Sequence, residues 1–253
     1  MHRFFVSPEC FSGDVVHLPE PVSRQLRRVL RARPGDDIIL LDDSGLEFRA
    51  VVETLETGEA RARVTSESKS AGEPDVRITL YQAVLKTDKF ELVLQKCTEL
   101  GVTRFVPMNC ERSIPRAQAE GSNRHERWRR IVREAAEQSG RGRLPLVEHP
   151  LDFNQACEEA DSPALIPWEE ERDFGLRQAL SAIGADAAGP AGDDKKTLSL
   201  FIGPEGGFSR DEVELARSCG ITTVTLGKRI LRAETAGIAA VAAAMYEMEE
   251  LGG

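Results

Sequence analysis

Two glycine-punctuated stretches near the C-terminus carry the residue types best suited to holding a ligand. The first, LFIGPEGGFSRDEVELA, ends an apolar run in Gly203, Pro204, Glu205, Gly206 and Gly207. Ser209 followed by Glu212 has the spacing of a capping box and predicts a helix start. A strand that ends in such a turn places it at a strand's carboxyl end, where open α/β sheets bind ligands. Glycine there lets backbone approach a ligand closely. A carboxylate inside the turn, Glu205, repels phosphate and suits a neutral or cationic ligand. The glycine spacing is not G-x-G-x-x-G and no G-K-[ST] occurs, so nucleotide-phosphate cradles fit poorly.

The second stretch, TLGKRILRAETAGIAAVAAAMYEMEE, again ends a strand at glycine, here Gly227. A short apolar-basic segment leads to a helix expected from about Thr235, rich in alanine. Arg232 and Glu234 beside that start are either site residues or surface charge. ALIPWEE gives a third strand end at Pro167–Trp168, where packing is the simpler role for the tryptophan. No serine nucleophile elbow and no Cys–His pair at recognisable spacing is present. A protein without its own nucleophile commonly borrows its chemistry from a cofactor.

The rest of the chain bounds what such a site can serve. At 253 residues, 41% hydrophobic and 30% charged, it predicts one large or two modest soluble domains. No apolar run reaches membrane-spanning length and the N-terminus has no signal-peptide core, which places the protein in the cytoplasm. Five scattered cysteines without C-x-x-C argue against a disulfide framework or zinc finger, and four histidines without H-x-x-x-H indicate no metal site. The net charge is −9, yet residues 24–33 carry five arginines and no acid, and residues 124–143 carry seven arginines against three glutamates. Such segregation permits a basic face on an acidic protein, or solvated helix faces.

The elements that must position these residues fall in two regions. Residues 1–72 predict several short strands of a small barrel, with a hairpin through Asp43-Ser44-Gly45 and an arginine-rich helix over 23–31. Residues 66–75 have linker composition. Beyond them strands alternate with helices, as in an α/β domain with a mainly parallel sheet. Asp88 with Glu91 predicts a capped helix ending at Gly101, Asn123 with Glu126 another ending at Gly140, and further helices are expected near 152–160, 173–183, 210–219 and 235–250. Residues 184–196 have loop composition.

IGPEGGFSRDE and LGKRILRAETA, in this order, resemble the paired signatures of the ribosomal RNA small-subunit methyltransferase E family of the SPOUT superfamily. QKCTELGVTRFVPMNCERS, EAAEQSGRGRLP and RQLRRVLRARPGD resemble further family blocks, so the likeness spans essentially the whole chain. It implies an N-terminal PUA-like β-barrel (1–72) and a C-terminal SPOUT-type α/β domain (73–253) with a deep trefoil knot, which no periodicity reveals. It implies methyl transfer from S-adenosyl-L-methionine to N3 of a uridine in 16S ribosomal RNA. The alternatives are a knotted enzyme acting on ribose 2′-oxygen or another base, and a non-catalytic RNA-binding assembly factor. Carried over residue by residue, the cofactor pocket takes Ile202, Gly203, Glu205, Gly206 and Gly207 from the first loop. It takes Leu226, Gly227, Ile230, Leu231 and Ala236 from the second, with Pro167 and Trp168 flanking. Arg232 then stabilises negative charge on the target base or holds a phosphate, and Glu234 or Glu205 serves as base. RNA contacts are expected from Arg24, Arg27, Arg28 and Arg31, with Arg112, Arg116, Arg141 and Arg143 lining the path to the pocket. The family resemblance also implies a homodimer paired through the ELVLQKCTEL helix and the alanine-rich last helix.

Overall fold

Alternating burial marks strands of one sheet of the protein, and continuous apolar runs mark the central strands of the other. The computed structural model describes residues 1–56, 59–113, 122–186 and 196–252, and these divide into two units. The first comprises Met1–Glu73 with Arg133–Leu144, the second Pro74–Val132 with Pro145–Gly253.

The first unit holds β1 (His2–Phe5), β2 (Phe11–Ser12), β3 (Val15–His17), α1 (Glu20–Gln25), β4 (Asp37–Leu41), β5 (Leu46–Glu56) and β6 (Glu59–Lys69). The sheet order is β1-β4-β5-β6-β3-β2, antiparallel except for β1 beside β4. Ile38 and Leu40, Ala50 and Val52, and Ala60 and Ala62 turn into one core with Phe4, Val16 and Leu26. Arg61 and Arg63, between and beyond those alanines, point the other way, the period-two pattern of a half-buried strand. The expected hairpin turn is present, with Asp43 at φ 70° and Gly45 at φ 92°. α1 runs into a π-helical turn, Leu26–Leu30, which ends at Arg31 in the left-handed region, φ 54°. The expected linker begins later than its composition suggests. Ser66–Lys69 still belong to β6, paired with β5 as far as Leu46–Lys69. Polar residues sustain a ladder when their backbone groups find partners.

Arg133–Leu144 joins this unit through buried polar contacts. The Phe5 N–H donates to Glu137 at 3.0 Å. Arg141 is 2% exposed, and its guanidinium reaches the Glu73 carboxylate at 3.3 Å. Glu73 also accepts the backbone N–H groups of Gly142 and Arg143, at 2.9 and 3.0 Å.

The second unit contains β7 (Val76–Ala83), α2 (Thr87–Glu99), β8 (Arg104–Asn109), the start of α3 (Ser122–Ser139), β9 (Leu146–Val147), β10 (Leu151–Asp152) and α4 (Phe153–Glu158). It continues with β11 (Ala164–Pro167), α5 (Leu176–Asp186), β12 (Lys196–Ile202), α6 (Arg210–Ser218), β13 (Thr222–Val224) and α7 (Ala233–Glu247). The sheet is parallel, in the order β10-β8-β7-β12-β11-β13, with β9 beside β8. Its central strands are apolar on both faces, as strands covered by helices on two sides must be. From β7, Ile78 and Leu80 enter one core with residues of α2, α5 and α7, while Tyr81 and Ala83 enter the other with residues of α4 and α6. β12 divides likewise, Leu198, Leu200 and Ile202 to the first core and Phe201 to the second.

Several helix ends differ from expectation. α2 starts at Thr87 without a side-chain cap, so Asp88 lies in its first turn, and Glu91 is drawn to Arg127 at 2.7 Å instead of back to a cap. α7 starts at Ala233, two residues early, because extended Arg232 (ψ 151°) already occupies the cap position. α5 starts at Leu176 and runs to Asp186. Of the expected loop over 184–196, residues 187–195 lie outside the described residues.

Candidate ligand cavity at the strand ends

Three strand ends of the second unit frame one cavity of about 920 Å³. At the first, β12 ends in Ile202 and the chain turns sharply, with the Gly207 N–H donating to the Pro204 carbonyl at 3.0 Å and Gly207 at φ 69°. Ser209 then caps α6. Its hydroxyl accepts the Glu212 N–H at 3.3 Å, and the Glu212 carboxylate accepts the Ser209 N–H at 2.8 Å, the expected capping box. The other oxygen of buried Glu212 accepts the Glu111 N–H at 2.8 Å, tying β8's exit to the same turn. Neighbours press on the glycines. A Cβ on Gly203 would come within 3.1 Å of the Phe208 ring, one on Gly206 within 3.1 Å of the Arg112 side chain, and one on Gly207 within 2.8 Å of Glu169 Oε1.

The second end follows β13. Thr225 exchanges backbone bonds with the chain ahead of α5, donating to Phe174 at 2.8 Å and accepting from Leu176 at 3.0 Å. Its hydroxyl accepts the Gly227 N–H at 3.2 Å, and Gly227 stands at φ 106°. The third end is β11, whose exit residue Trp168 donates its N–H to Val224 at 3.0 Å. The Arg217 guanidinium lies 5.4 Å from the Trp168 ring centre, so this side chain packs and also walls the cavity. Glu171 fixes the loop beyond. It accepts the N–H groups of Asp173, Arg172 and Phe174 and the Thr223 hydroxyl, and these bonds, that of Asp173 foremost, hold its carboxyl below the usual range.

All twelve residues expected at the cofactor pocket line this cavity: Pro167, Trp168, Ile202, Gly203, Glu205, Gly206, Gly207, Leu226, Gly227, Ile230, Leu231 and Ala236. Ile230 does so at the rim, 90% exposed. Arg232 also lines it, exposed and with no side-chain hydrogen bond or ion pair among the described residues. Glu234 is not on the cavity wall, but its Oε2 is buried without a hydrogen-bond partner. Between Glu205 and Glu234 stands Lys89, from the first turn of α2, with its Nζ 3.6 Å from a carboxylate oxygen of each. Sequence reading missed Lys89, because β7 runs into α2 without a glycine. The general rule that ligands gather at carboxyl ends of strands was the one available signal.

The expected RNA-binding arginines divide. Arg24, Arg28 and Arg31 are exposed on the first unit. Arg27 is committed in part, to Glu20 at 3.0 Å and the Leu55 carbonyl at 3.2 Å. Arg143 is exposed and packs over Gly45. Arg112 is exposed but donates to the Gly206 carbonyl at 3.1 Å, so it also holds the glycine turn. Arg141 is buried on Glu73, which takes its guanidinium away from any phosphate. Arg116 lies outside the described residues.

An apolar wall of Ile202, Leu226, Leu231 and Ala236, exposed glycine backbone and nearby carboxylates suit a ligand with a flat apolar part and a positive charge. Known proteins agree in kind. The family described as RNA methyltransferase domain matches residues 72–245, and RNA methyltransferase PUA domain matches residues 26–65. The chain is 37% identical to ribosomal RNA small subunit methyltransferase E of Synechocystis, over 95% of its own length and 76% of the relative's. It is 32% identical to the protein of that name from Bacillus subtilis, over 96% and 91%. Among solved structures it is similar to ribosomal RNA small subunit methyltransferase E from Neisseria gonorrhoeae bound to S-adenosyl methionine, with TM-score 0.83, 35% identity and 97% of each chain covered. A Legionella pneumophila methyltransferase in complex with the same cofactor gives TM-score 0.83 and 29% identity over 96% of each chain.

Proposed function

Because the chain belongs to the ribosomal RNA small subunit methyltransferase E family, we propose that it methylates N3 of a uridine in 16S ribosomal RNA, with S-adenosylmethionine as donor. Its fold is accordingly a SPOUT-type trefoil-knotted α/β unit, preceded in the chain by a PUA-like unit. The observation that carries the reading is the meeting of both glycine-bearing strand ends and the Pro167–Trp168 end on one cavity.

The residues fit the cofactor. The cavity is within the size range that encloses a ligand of this kind. Side chains at Gly203, Gly206 and Gly207 would run into Phe208, Arg112 and Glu169, so the turn keeps its backbone bare. Ile202, Leu226, Leu231 and Ala236 would hold the adenosine, and Glu205 would face the charged end. When bound, the cofactor supplies an electrophilic methyl carbon on a sulfonium.

The chain's own residues do the rest. The uridine N3–H has to lose its proton, and Glu234, whose Oε2 has no hydrogen bond of its own, or Glu205 accepts it. The Arg232 guanidinium, unengaged among the described residues, donates to the negative charge shared by N3 and the ring carbonyls. Alignment of donor and base supplies much of the acceleration. Arg24, Arg28, Arg31 and Arg112 hold backbone phosphates. Two copies pair through α2 and α7, where Leu92 and Tyr246 are 40% and 68% exposed. The protein works in the cytoplasm, on the small ribosomal subunit.

The test is transfer of labelled methyl from S-adenosylmethionine to small subunits that lack the modification, with the product base identified by mass spectrometry. N3-methyluridine is expected; label on a ribose or another base, or none, refutes the assignment. Glu234→Gln with an unchanged single-turnover rate removes Glu234 as base. A concentration-independent monomer in ultracentrifugation refutes the dimer.

A further inference from the structure

We propose that Lys89 sets the charge of the cofactor cavity, and thereby its preference for the sulfonium donor over the neutral thioether product. The inference rests on the cofactor reading above and adds a residue to it.

Lys89 stands in the first turn of α2 and lines the cavity. Its ammonium lies 3.6 Å from Glu205, in the turn after β12, and 3.6 Å from Glu234, in the first turn of α7. One cation therefore serves carboxylates from two different elements. The three side chains are 26%, 31% and 12% exposed, so their mutual field is only partly screened by solvent. Glu234 stands behind the wall; besides Lys89 and Glu205, the charged residues on the wall itself are Glu169, Glu170, Arg172, Lys228, Arg229 and Arg232, all exposed, and Glu171, which is taken up by its own hydrogen bonds. Exposed charges contribute far less to a bound ligand.

Two carboxylates and one ammonium sum to −1, which matches the single positive charge of a sulfonium. During methyl transfer the sulfur–carbon bond breaks, its electron pair stays on sulfur, and that positive charge disappears. Donor and product thus differ at this place by one unit of charge. With Lys89 absent the cluster holds −2, which favours the cation over the neutral thioether more than the native site does. Lys89 is a positioning residue: by offsetting one carboxylate it limits how much more tightly the cavity holds the sulfonium donor than the neutral product. Its role is read in a ratio of two affinities, which a loss of packing alone would not shift.

The experiment is calorimetric titration of the full chain with S-adenosylmethionine and, separately, with S-adenosylhomocysteine, in the native protein and in Lys89→Met, Lys89→Gln and Lys89→Arg. Lys89→Met and Lys89→Gln are expected to move the affinity ratio toward the donor by on the order of tenfold, the size of one poorly screened unit charge. Lys89→Arg is expected to leave the ratio within about twofold, since it keeps the charge. An unchanged ratio in Lys89→Met and Lys89→Gln overturns the proposal. Should Lys89→Met fail to fold, Lys89→Gln, which keeps a polar side chain at this place, carries the same expectation alone. A native protein that binds neither compound refutes the cofactor reading, and this inference with it. A native protein that binds both while the variants keep its ratio refutes only the role of Lys89.

Discussion

Gly207 and Gly220 allow the cost of backbone strain to be separated from the loss of a ligand site. Both stand in the left-handed region, at φ 69° and φ 82°. Alanine there costs about 1–2 kcal/mol through the clash of its Cβ with the backbone. At Gly220, past the end of α6, a Cβ has nothing within 4 Å, so strain is the whole cost. At Gly207 the Cβ also comes within 2.8 Å of Glu169 Oε1, the far end of a flexible and exposed side chain that moves aside cheaply. Gly207→Ala and Gly220→Ala are therefore expected to lower the melting temperature by similar amounts, roughly 2–8 °C for a unit of this size. Their effects on donor binding are expected to diverge. Only Gly207 lines the cavity, and a methyl group with a displaced Glu169 there should weaken S-adenosylmethionine by at least about tenfold, while Gly220→Ala binds as the native protein does. Thermal melts without ligand and calorimetric titration of the same samples read the two effects separately. Equal donor affinity in the two variants would refute the claim that bare backbone at Gly207 makes the site.

The two classes of arginine should separate as cleanly. Arg141→Met leaves Glu73 without its guanidinium partner and is expected to cost about 3–5 kcal/mol in urea unfolding, whereas Arg28→Ala with Arg31→Ala leaves stability unchanged and lowers RNA affinity and its salt slope by about one unit per lost phosphate contact. An unchanged salt slope removes these arginines from the interface. Glu171 is held below the usual carboxyl range by hydrogen bonds that exist only in the fold, so the stability it contributes is present above its unfolded value and is lost as pH falls through its folded value. Glu171→Gln should therefore be less stable than the native protein near neutral pH, and the gap should close on acidification; a gap that widens contradicts this sign. Burial raises the thiols of Cys97 and Cys110 and pushes Cys157 up to about 12, while Cys219 is exposed. Iodoacetamide on the folded protein should modify Cys219 and spare those three, as read by peptide mass spectrometry.

What the sequence discloses is what local physics decides. Ala60, Ala62 and Val64 announce their strand by alternating with Arg61 and Arg63, because side chains two residues apart share a face. Ser209 and Glu212 announce a helix start because their reciprocal bonds span only three residues. The glycine turns are legible for the same reason. Long-range partners are not. Asp88 has cap chemistry, yet α2 starts at Thr87 and Glu91 goes to Arg127, a choice made by a helix far along the chain. Arg141 has the same composition cue as Arg143, but only the fold brings Glu73 beneath it, 68 residues away. Lys89 is invisible until Glu205 and Glu234 are brought to it. A knot, being a property of the whole path, has no local signature at all.

The order in which the cavity's wall is written into the chain has a consequence for the protein's own synthesis. Apart from Lys89, every residue that lines it falls between Pro167 and Ala236. A growing polypeptide released from the ribosome up to α5 has already completed the arginine-bearing unit and holds no place for a methyl donor. On the proposed function, newly made chains that stall before α7 would carry the RNA-contacting arginines without a complete wall for the methyl donor.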